Sequence, residues 1–494
     1  MDTTSERVQF TKSLLLVSLS WMHLFARESR VHVHLLSGEH TKYRYKPITS
    51  GSPDVYSTIA GLDGPAPRSQ LEEYPRPLDA EDPPTGLSLP VIAYLPALAI
   101  SAVCTRWHSI ALASPRLWSR FRLEIAPKEE MTADLDRQKG FISTLQLYLD
   151  RSANSPLLID LQTTIISDVD APNPSALSVL LDHASRWQTF SVADDYGLGN
   201  LEDFFDRSFP ILEDLALEGL CTAVVKVDLD FFEHAPKLRA VRTDCFESGS
   251  HLPRTQLTSL DVTLPIGLEH CCPSLTVLTL RSSSEMRGRT ISLARLQSFT
   301  FITTITTGRD YDYECSLEDM FSCFTFPSLR ALAIYSNDIY FTWPPDAFSA
   351  FISRSSCALT TLSLRFSVIS DLNLIAALRL LPSLTDFAFD GLVEAADRNP
   401  ITPHFISSMH GSTIAPLVPK LRSLSLKLLG TLFDDAALIS MVSSRWIPDP
   451  ATGMDCLRSL VLHFGEREVD EEAYRQLYDL DRKGMQVVIS GKSV

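Results

Sequence analysis

Positive charge is what this sequence is short of. Lys and Arg total 44 against 60 Asp and Glu, a net charge of −16 over 494 residues, and no stretch gathers basic residues into a stripe. Nucleic-acid affinity comes mainly from Lys and Arg neutralising phosphates, so no nucleic-acid partner is expected. A cysteine pattern is also missing. The nine cysteines are odd in number and scattered, with no CxxC pair, so neither a disulfide framework nor a structural zinc site is indicated. Cys271-Cys272 beside His270 is the one metal-like cluster, and it reads more simply as a half-buried thiol pair ahead of Pro273. None of the six asparagines lies in a glycosylation sequon, which favours an intracellular chain, cytoplasmic or nuclear. Nothing suggests a membrane span: the most apolar segment, "SLLLVSLSWMHLFA" (13–26), is interrupted by Ser, Trp and His and is shorter than the roughly 20 residues a spanning helix needs. As a secretory leader it would need a basic start, and Asp2 and Glu6 stand there instead. The GxSxG, HExxH, GxGxxG and GxxxxGK[ST] motifs are absent, so no enzyme chemistry, cofactor or metal is expected.

What is present is an ordinary globular balance, 45% hydrophobic and 21% charged, long enough for more than one domain. Residues 1–45 form an N-terminal amphipathic segment. Residues 46–88 concentrate Pro, Gly, Ser and acid and read as a linker with too little apolar surface to offset ordering entropy. Beyond the linker, Ile100, Val103, Cys104, Trp107, Ile110 and Ala111 recur at helical spacing, which predicts one helix ended by Ser114-Pro115. Residues 126–184 read as a connecting helix and strand.

From about residue 185 to the end the chain repeats an apolar residue at i, i+3 and i+5. "LEDLAL" (212–217), "LTVLTL" (275–280), "LRALAI" (329–334), "LTTLSL" (359–364), "LTDFAF" (384–389), "LRSLSL" (421–426) and "LRSLVL" (457–462) are clear copies. Weaker ones begin at Trp187, Leu238, Leu257 and Leu296. Many copies of one supersecondary pattern argue for a solenoid, and L-x-x-L-x-L is the strand core of a leucine-rich repeat. Residues i+3 and i+5 share a strand face, so they point inward with residue i. "LNLIAALRLL" (372–381) and "DDAALISMV" (434–442) are candidate outer helices, and "MQVVIS" (485–490) a terminal strand. The fold class is therefore α/β: a small N-terminal helical module over 89–125, then an irregular leucine-rich-repeat solenoid over 185–494, its parallel sheet concave and its helices convex. The Asn or Cys that usually follows the unit is nearly absent, since Leu220, Ser283, Asn337, Ser367 and Leu429 stand there.

"AISAVCTRWHSIALASPRLWSRFRLEI" (99–125) resembles the second half of an F-box, as found in fungal F-box proteins with leucine-rich repeats. Val103, Cys104, Trp107, Ile110, Ala111, Pro115, Leu117 and Trp118 match its ordered pattern, and "LQLYLDRSANSPLLIDL" (145–161) resembles the segment that follows. Residues 15–25 echo the same helix, as a remnant of a degenerate copy or as an ordinary amphipathic helix. The resemblance implies a substrate receptor of an SCF ubiquitin ligase. The F-box would dock the SKP adaptor, and through it the cullin scaffold, while the repeats bind a protein target. It implies an adaptor-binding set of Leu95, Pro96, Leu98, Val103, Trp107, Ile110, Pro115, Leu117 and Trp118. The family's opening Leu-Pro-x-E helix has no counterpart, because "LSLPVIAYLPAL" (87–98) carries no acid after Leu89-Pro90. A leucine-rich scaffold with a decayed F-box is the alternative.

On the sheet, the side chains at i+4 and i+6 face away from the core. At i+4 the clear copies carry only small residues; at i+6 they carry Glu218, Arg281, Tyr335, Arg365, Asp390, Lys427 and His463. That column reads either as a surface for a protein or peptide substrate or as a solvated face.

Overall fold

The computed structural model describes residues 91–92, 96–125, 135–163, 175–194, 204, 207–218, 229–244, 246, 251–263, 272–282, 290–303, 317–336, 342–365, 369–391, 399–412, 416–428, 434–448 and 452–492. The chain divides into two compact units, and each is described by itself. In the first, two short helices pack together: α1 (Pro96–Ser101) and α2 (Thr105–Leu112). The single helix expected through Ile100–Ala111 is thus corrected to a pair. Ser101 Oγ donates to Leu98 O at 2.8 Å, and Cys104 is fully extended (φ −164°, ψ 170°) as the cap of α2. A serine bonding its own backbone competes with helix continuation. The break turns Val103 and Cys104 outward, both exposed.

The second unit is a 15-stranded sheet whose strands follow chain order. β1 (Val91–Ile92) runs antiparallel to β2 (Arg120–Ile125). All later neighbours are parallel: β3 (Leu157–Thr163), β4 (Trp187–Asp194), β5 (Asp214–Glu218), β6 (Ala240–Thr243), β7 (Ser259–Val262) and β8 (Val277–Ser282). β9 (Ile291–Ser292) belongs to a separate small sheet with β11 (Phe324–Thr325). The main sheet continues through β10 (Ser298–Thr303), β12 (Ala331–Ser336), β13 (Thr361–Arg365), β14 (Asp386–Gly391), β15 (Ser423–Leu428), β16 (Ser459–Phe464) and β17 (Gln486–Ser490). The fold is α/β with a long parallel sheet in a solenoid-like arrangement. Each of the eleven repeat copies supplies one strand, beginning two residues into the unit except at Trp187. β2 and β3 extend the parallel sheet upstream of the copies that the leucine spacing identified.

The helices are α3 (Leu135–Arg151), α4 (Ser175–Leu181), α5 (Leu317–Cys323), α6 (Pro345–Ser355), α7 (Asp371–Arg379), α8 (Pro403–Met409), α9 (Asp435–Trp446) and α10 (Arg475–Arg482). Interval length decides where they form. Between Leu238 and Leu296 the units are short, and the described connections hold the 3-10 turn Arg254–Gln256 and the two-residue strand β9 but no α-helix. The longer units after Leu296 carry full helices. α10 stops at Lys483 and Gly484, whose φ of +105° only glycine adopts readily.

Three features of the unit explain the stacking. Residues i, i+3 and i+5 are buried throughout, as with Leu421, Leu424 and Leu426 at 0% exposure. Each such side chain contributes about 1.5–3 kcal/mol of burial. Second, a turn precedes the strand: Leu238 N donates to Ala235 O, Leu275 to Cys272, Leu329 to Phe326, Leu384 to Leu381 and Leu421 to Val418. Pro236, Pro273, Pro327, Pro382 and Pro419 sit second in those turns, where a fixed φ and a missing N–H cost nothing. Third, the carbonyl of residue i+1 accepts two N–H groups from the next unit. Arg330 O takes Thr360 N (2.8 Å) and Thr361 N (2.9 Å), and Arg422 O takes Arg458 N (2.7 Å) and Ser459 N (3.0 Å). This backbone spine runs from Glu213 to Arg422. Leu220, Ser283, Asn337, Ser367 and Leu429 lie outside the described residues.

Arginines fasten units from the helix side. Arg186 donates to Ser155 O and Ser152 Oγ, and Arg354 to Phe321 O and Phe324 O. Arg445 is 1% exposed and donates to Met409 O, Leu417 O and Val418 O. Burial pulls its guanidinium down to about 10. Val418 is β-branched yet has φ +44°, a costly conformation that the Arg445 bond and the following turn hold in place.

Candidate functional site

Two surfaces follow from the residues singled out above, one on each unit. On the helix pair, Val103, Ile110 and Leu112 are 48%, 49% and 45% exposed, and Trp107 is half-buried. Leu98 is half-buried, Pro96 opens α1, and Leu95 lies outside the described residues. Ala97 and Ala111 are fully buried. The pair therefore leaves Val103, Ile110 and Leu112 individually exposed and Trp107 partly covered; Ile110 and Leu112, two apart on α2, point to different sides of the helix.

The rest of the motif belongs to the other unit and behaves differently. Pro115 opens a 3-10 turn, Pro115–Trp118, that leads into β2. Leu117 is buried and Trp118 fully so. Trp118 meets Tyr148 of α3 edge-on at 5.0 Å between centroids, and the Arg151 guanidinium lies 4.4 Å over its ring. Leu117 and Trp118 are packing residues of the sheet unit and offer no surface for a partner.

The open face of the sheet carries the second surface. Register aligns Arg281, Ile302, Tyr335, Arg365, Asp390, Lys427, His463 and Ser490 in one row from β8 to β17. Six of the seven column residues thus share a row; Glu218 lies on β5, nearer the N-terminal end. Beside this row run Thr300, Ala333, Ser363, Ala388, Ser425 and Val461, a line of small side chains. Tyr335 Oη lies 3.4 Å from Ser363 Oγ, Lys427 Nζ 3.6 Å from Asp390 Oδ2, and His463 Nδ1 2.9 Å from Ser490 Oγ.

Further toward the N-terminus two i+4 positions are charged, Arg242 and Asp261. Arg242 on β6 bridges Glu218 Oε1 and Asp261 Oδ2, each at 3.0 Å. Arg281 reaches the same two carboxylates, at 3.6 and 2.9 Å. The four side chains close a ring across β5–β8, all between 14% and 33% exposed. Burial raises the Asp261 carboxyl despite both arginines, and raises Asp214 despite Arg242. Arg242 rises instead, because Asp261 and Glu218 together outweigh its own desolvation. Arg242 and Asp261 were not among the residues picked from the sequence. Counting i+4 in the weak copies at Leu238 and Leu257 would have found both.

Among the described residues no group of His, Cys, Asp and Glu is placed to hold a metal ion, and no helix is long and apolar enough to cross a membrane. Cys271, His270 and the 13–26 segment lie outside them. No protein-family model matches the chain, and no curated protein sequence matches it.

Proposed function

We propose that this protein is a non-catalytic substrate receptor of an SCF-type ubiquitin ligase. In this reading the helix pair docks the SKP adaptor, which links it to the cullin, and the open face of the sheet holds the protein to be modified. Holding a target near the conjugating enzyme raises the effective concentration of the reacting groups without any chemistry by the receptor. The observation that carries the reading is the ordered set Val103, Cys104, Trp107, Ile110, Ala111, Pro115, Leu117 and Trp118 directly ahead of the repeats, with Val103 and Ile110 about half exposed. Such a receptor works in the cytoplasm or nucleus. Co-purification of the full chain with an SKP adaptor tests it. The expected result is a complex that Val103→Asp and Ile110→Asp abolish without lowering thermal stability, whereas Trp118→Ala damages the fold itself. No complex with the wild-type chain at micromolar concentration would reject the receptor role.

A specific observation favours a second reading, an interaction scaffold whose F-box has decayed. Val91 and Ile92, where the family's first helix would lie, are a strand hydrogen-bonded to β2. The scaffold reading predicts a target on the open face and no adaptor.

A further inference from the structure

Because every unit runs in the same direction, local charge preferences add along the rims of the sheet. The first turns of the helices carry acids: Glu318 and Asp319 on α5, Asp346 on α6, Asp371 on α7 and Asp435 on α9. The last turns carry arginines, with Arg379 ending α7 and Arg482 ending α10. Each sign complements the helix dipole at its own end. In an up-and-down bundle such charges would alternate; in a parallel array those that are present recur at the same end, although Arg354 and Arg445 turn into the fold.

The strand N-termini reinforce that rim. The residues just before and just after the first leucine of each unit flank the turn that opens the strand. From β10 to β17, with Lys483 and Met485 as the register equivalents before β17, these two positions hold Arg295, Arg330, Lys420, Arg422, Arg458 and Lys483, and no acid. All six basic residues are exposed, and among the described residues only Arg422 is in an ion pair, with Asp455 at 2.7 Å. Asp386, which accepts from Thr385 Oγ1 at 2.6 Å, and Asp481, which accepts from Val487 N at 3.0 Å, are further acids beside this line. The chain as a whole carries −16. A basic line that the linear sequence scatters over nearly two hundred residues is therefore assembled by the stacking.

We propose that this rim is a second docking surface, for an extended Asp/Glu-rich segment of a partner protein. Seven strands at about 4.8 Å span roughly 29 Å, the reach of about nine extended residues. Nucleic acid suits the rim less well: none of these positions carries an aromatic ring on which a base stacks, and the overall negative charge repels a long polyanion. The proposal is independent of the adaptor and of the open face.

The test is fluorescence anisotropy of the full chain with a labelled glutamate peptide of about twelve residues at about 50 mM salt, where screening is weak. Binding is expected, and the triple variant Arg295→Glu, Arg330→Glu, Arg458→Glu should weaken it by about tenfold or more with an unchanged circular dichroism spectrum. An open-face variant, Arg365→Glu with Lys427→Glu, should bind the peptide as the wild type does. Equal binding by the triple variant would overturn the proposal. So would loss of binding in the open-face variant, or an oligouridylate of similar length binding as tightly as the peptide.

Discussion

The two halves of the sheet's open face occupy the same strand positions and do opposite things with them. On β5–β8 the i+4 positions include Arg242 and Asp261, and each charge has its counter-charge on a neighbouring strand. On β12–β16 the i+4 positions are Ala333, Ser363, Ala388, Ser425 and Val461, and the charges stand one step along at i+6. There Lys427 meets Asp390 at 3.6 Å and is 48% exposed, more than any member of the ring. The comparison teaches that charge content alone does not mark a binding surface. In the N-terminal half the charges are spent on one another and stiffen the sheet. In the C-terminal half small side chains leave a trough beside polar groups that remain accessible to a partner.

The sharpest way to break this comparison is Asp261→Ala. It removes the carboxylate that Arg242 and Arg281 share and leaves two guanidiniums facing each other across one strand. The ring is only partly buried, so the expected loss is about 1–3 kcal/mol in urea unfolding rather than the full cost of a deeply buried broken pair. A loss near zero would mean the ring is ordinary surface and the two halves do not differ.

Acidity gives a smaller and more specific signal. Burial raises the Asp261 carboxyl above its ordinary 3.8, so the folded state takes up a proton at a higher pH than the unfolded state. The stability tied to that proton is fully present below 3.8 and is lost as pH rises through the folded value. Wild type should therefore gain on Asp261→Asn as pH falls toward 3.8, by less than the whole Asp261→Ala loss. Urea midpoints of both proteins at several pH values between neutral and 3.8 read this directly. A gain for the variant instead would show that Arg242 and Arg281, not burial, set the Asp261 carboxyl.

Much of this was legible in the sequence because it follows from period two. The i, i+3, i+5 spacing located the eleven strands that carry the copies, and it placed the Arg281-to-His463 row, since register in a parallel stack repeats whatever one strand does. The break between α1 and α2 was not legible. It depends on Ser101 choosing its own backbone as acceptor, and the apolar spacing on either side still fits one helix. The burial of Trp118 was not legible for a related reason. A tryptophan after a proline stop resembles a loop residue until Tyr148 and Arg151, some thirty positions on, close over it. The ionic ring was missed because Arg242 and Asp261, which join Glu218 to Arg281, lie in the weak copies at Leu238 and Leu257, where Leu spacing is least distinctive. The basic rim was invisible because its members come from different units and meet only through stacking.

The smallest expected effect is also the one that sharpens the comparison most. Lys427→Ala breaks an ion pair as Asp261→Ala does, in the same sheet and one row over. Its ammonium is half exposed and makes a single long contact, so water replaces Asp390 at little cost. The expected change in stability is about 0–0.5 kcal/mol. Any effect should instead appear in capture of a target by the open face, because the lysine borders the trough formed by Ala388 and Ser425. Combining the two substitutions adds a check: Lys427 and Asp261 lie several strands apart, so the double variant should lose the sum of the single losses within about 0.5 kcal/mol. A larger discrepancy would mean that the two halves of the face are coupled through the sheet, and the locked half would then help set the geometry of the open one.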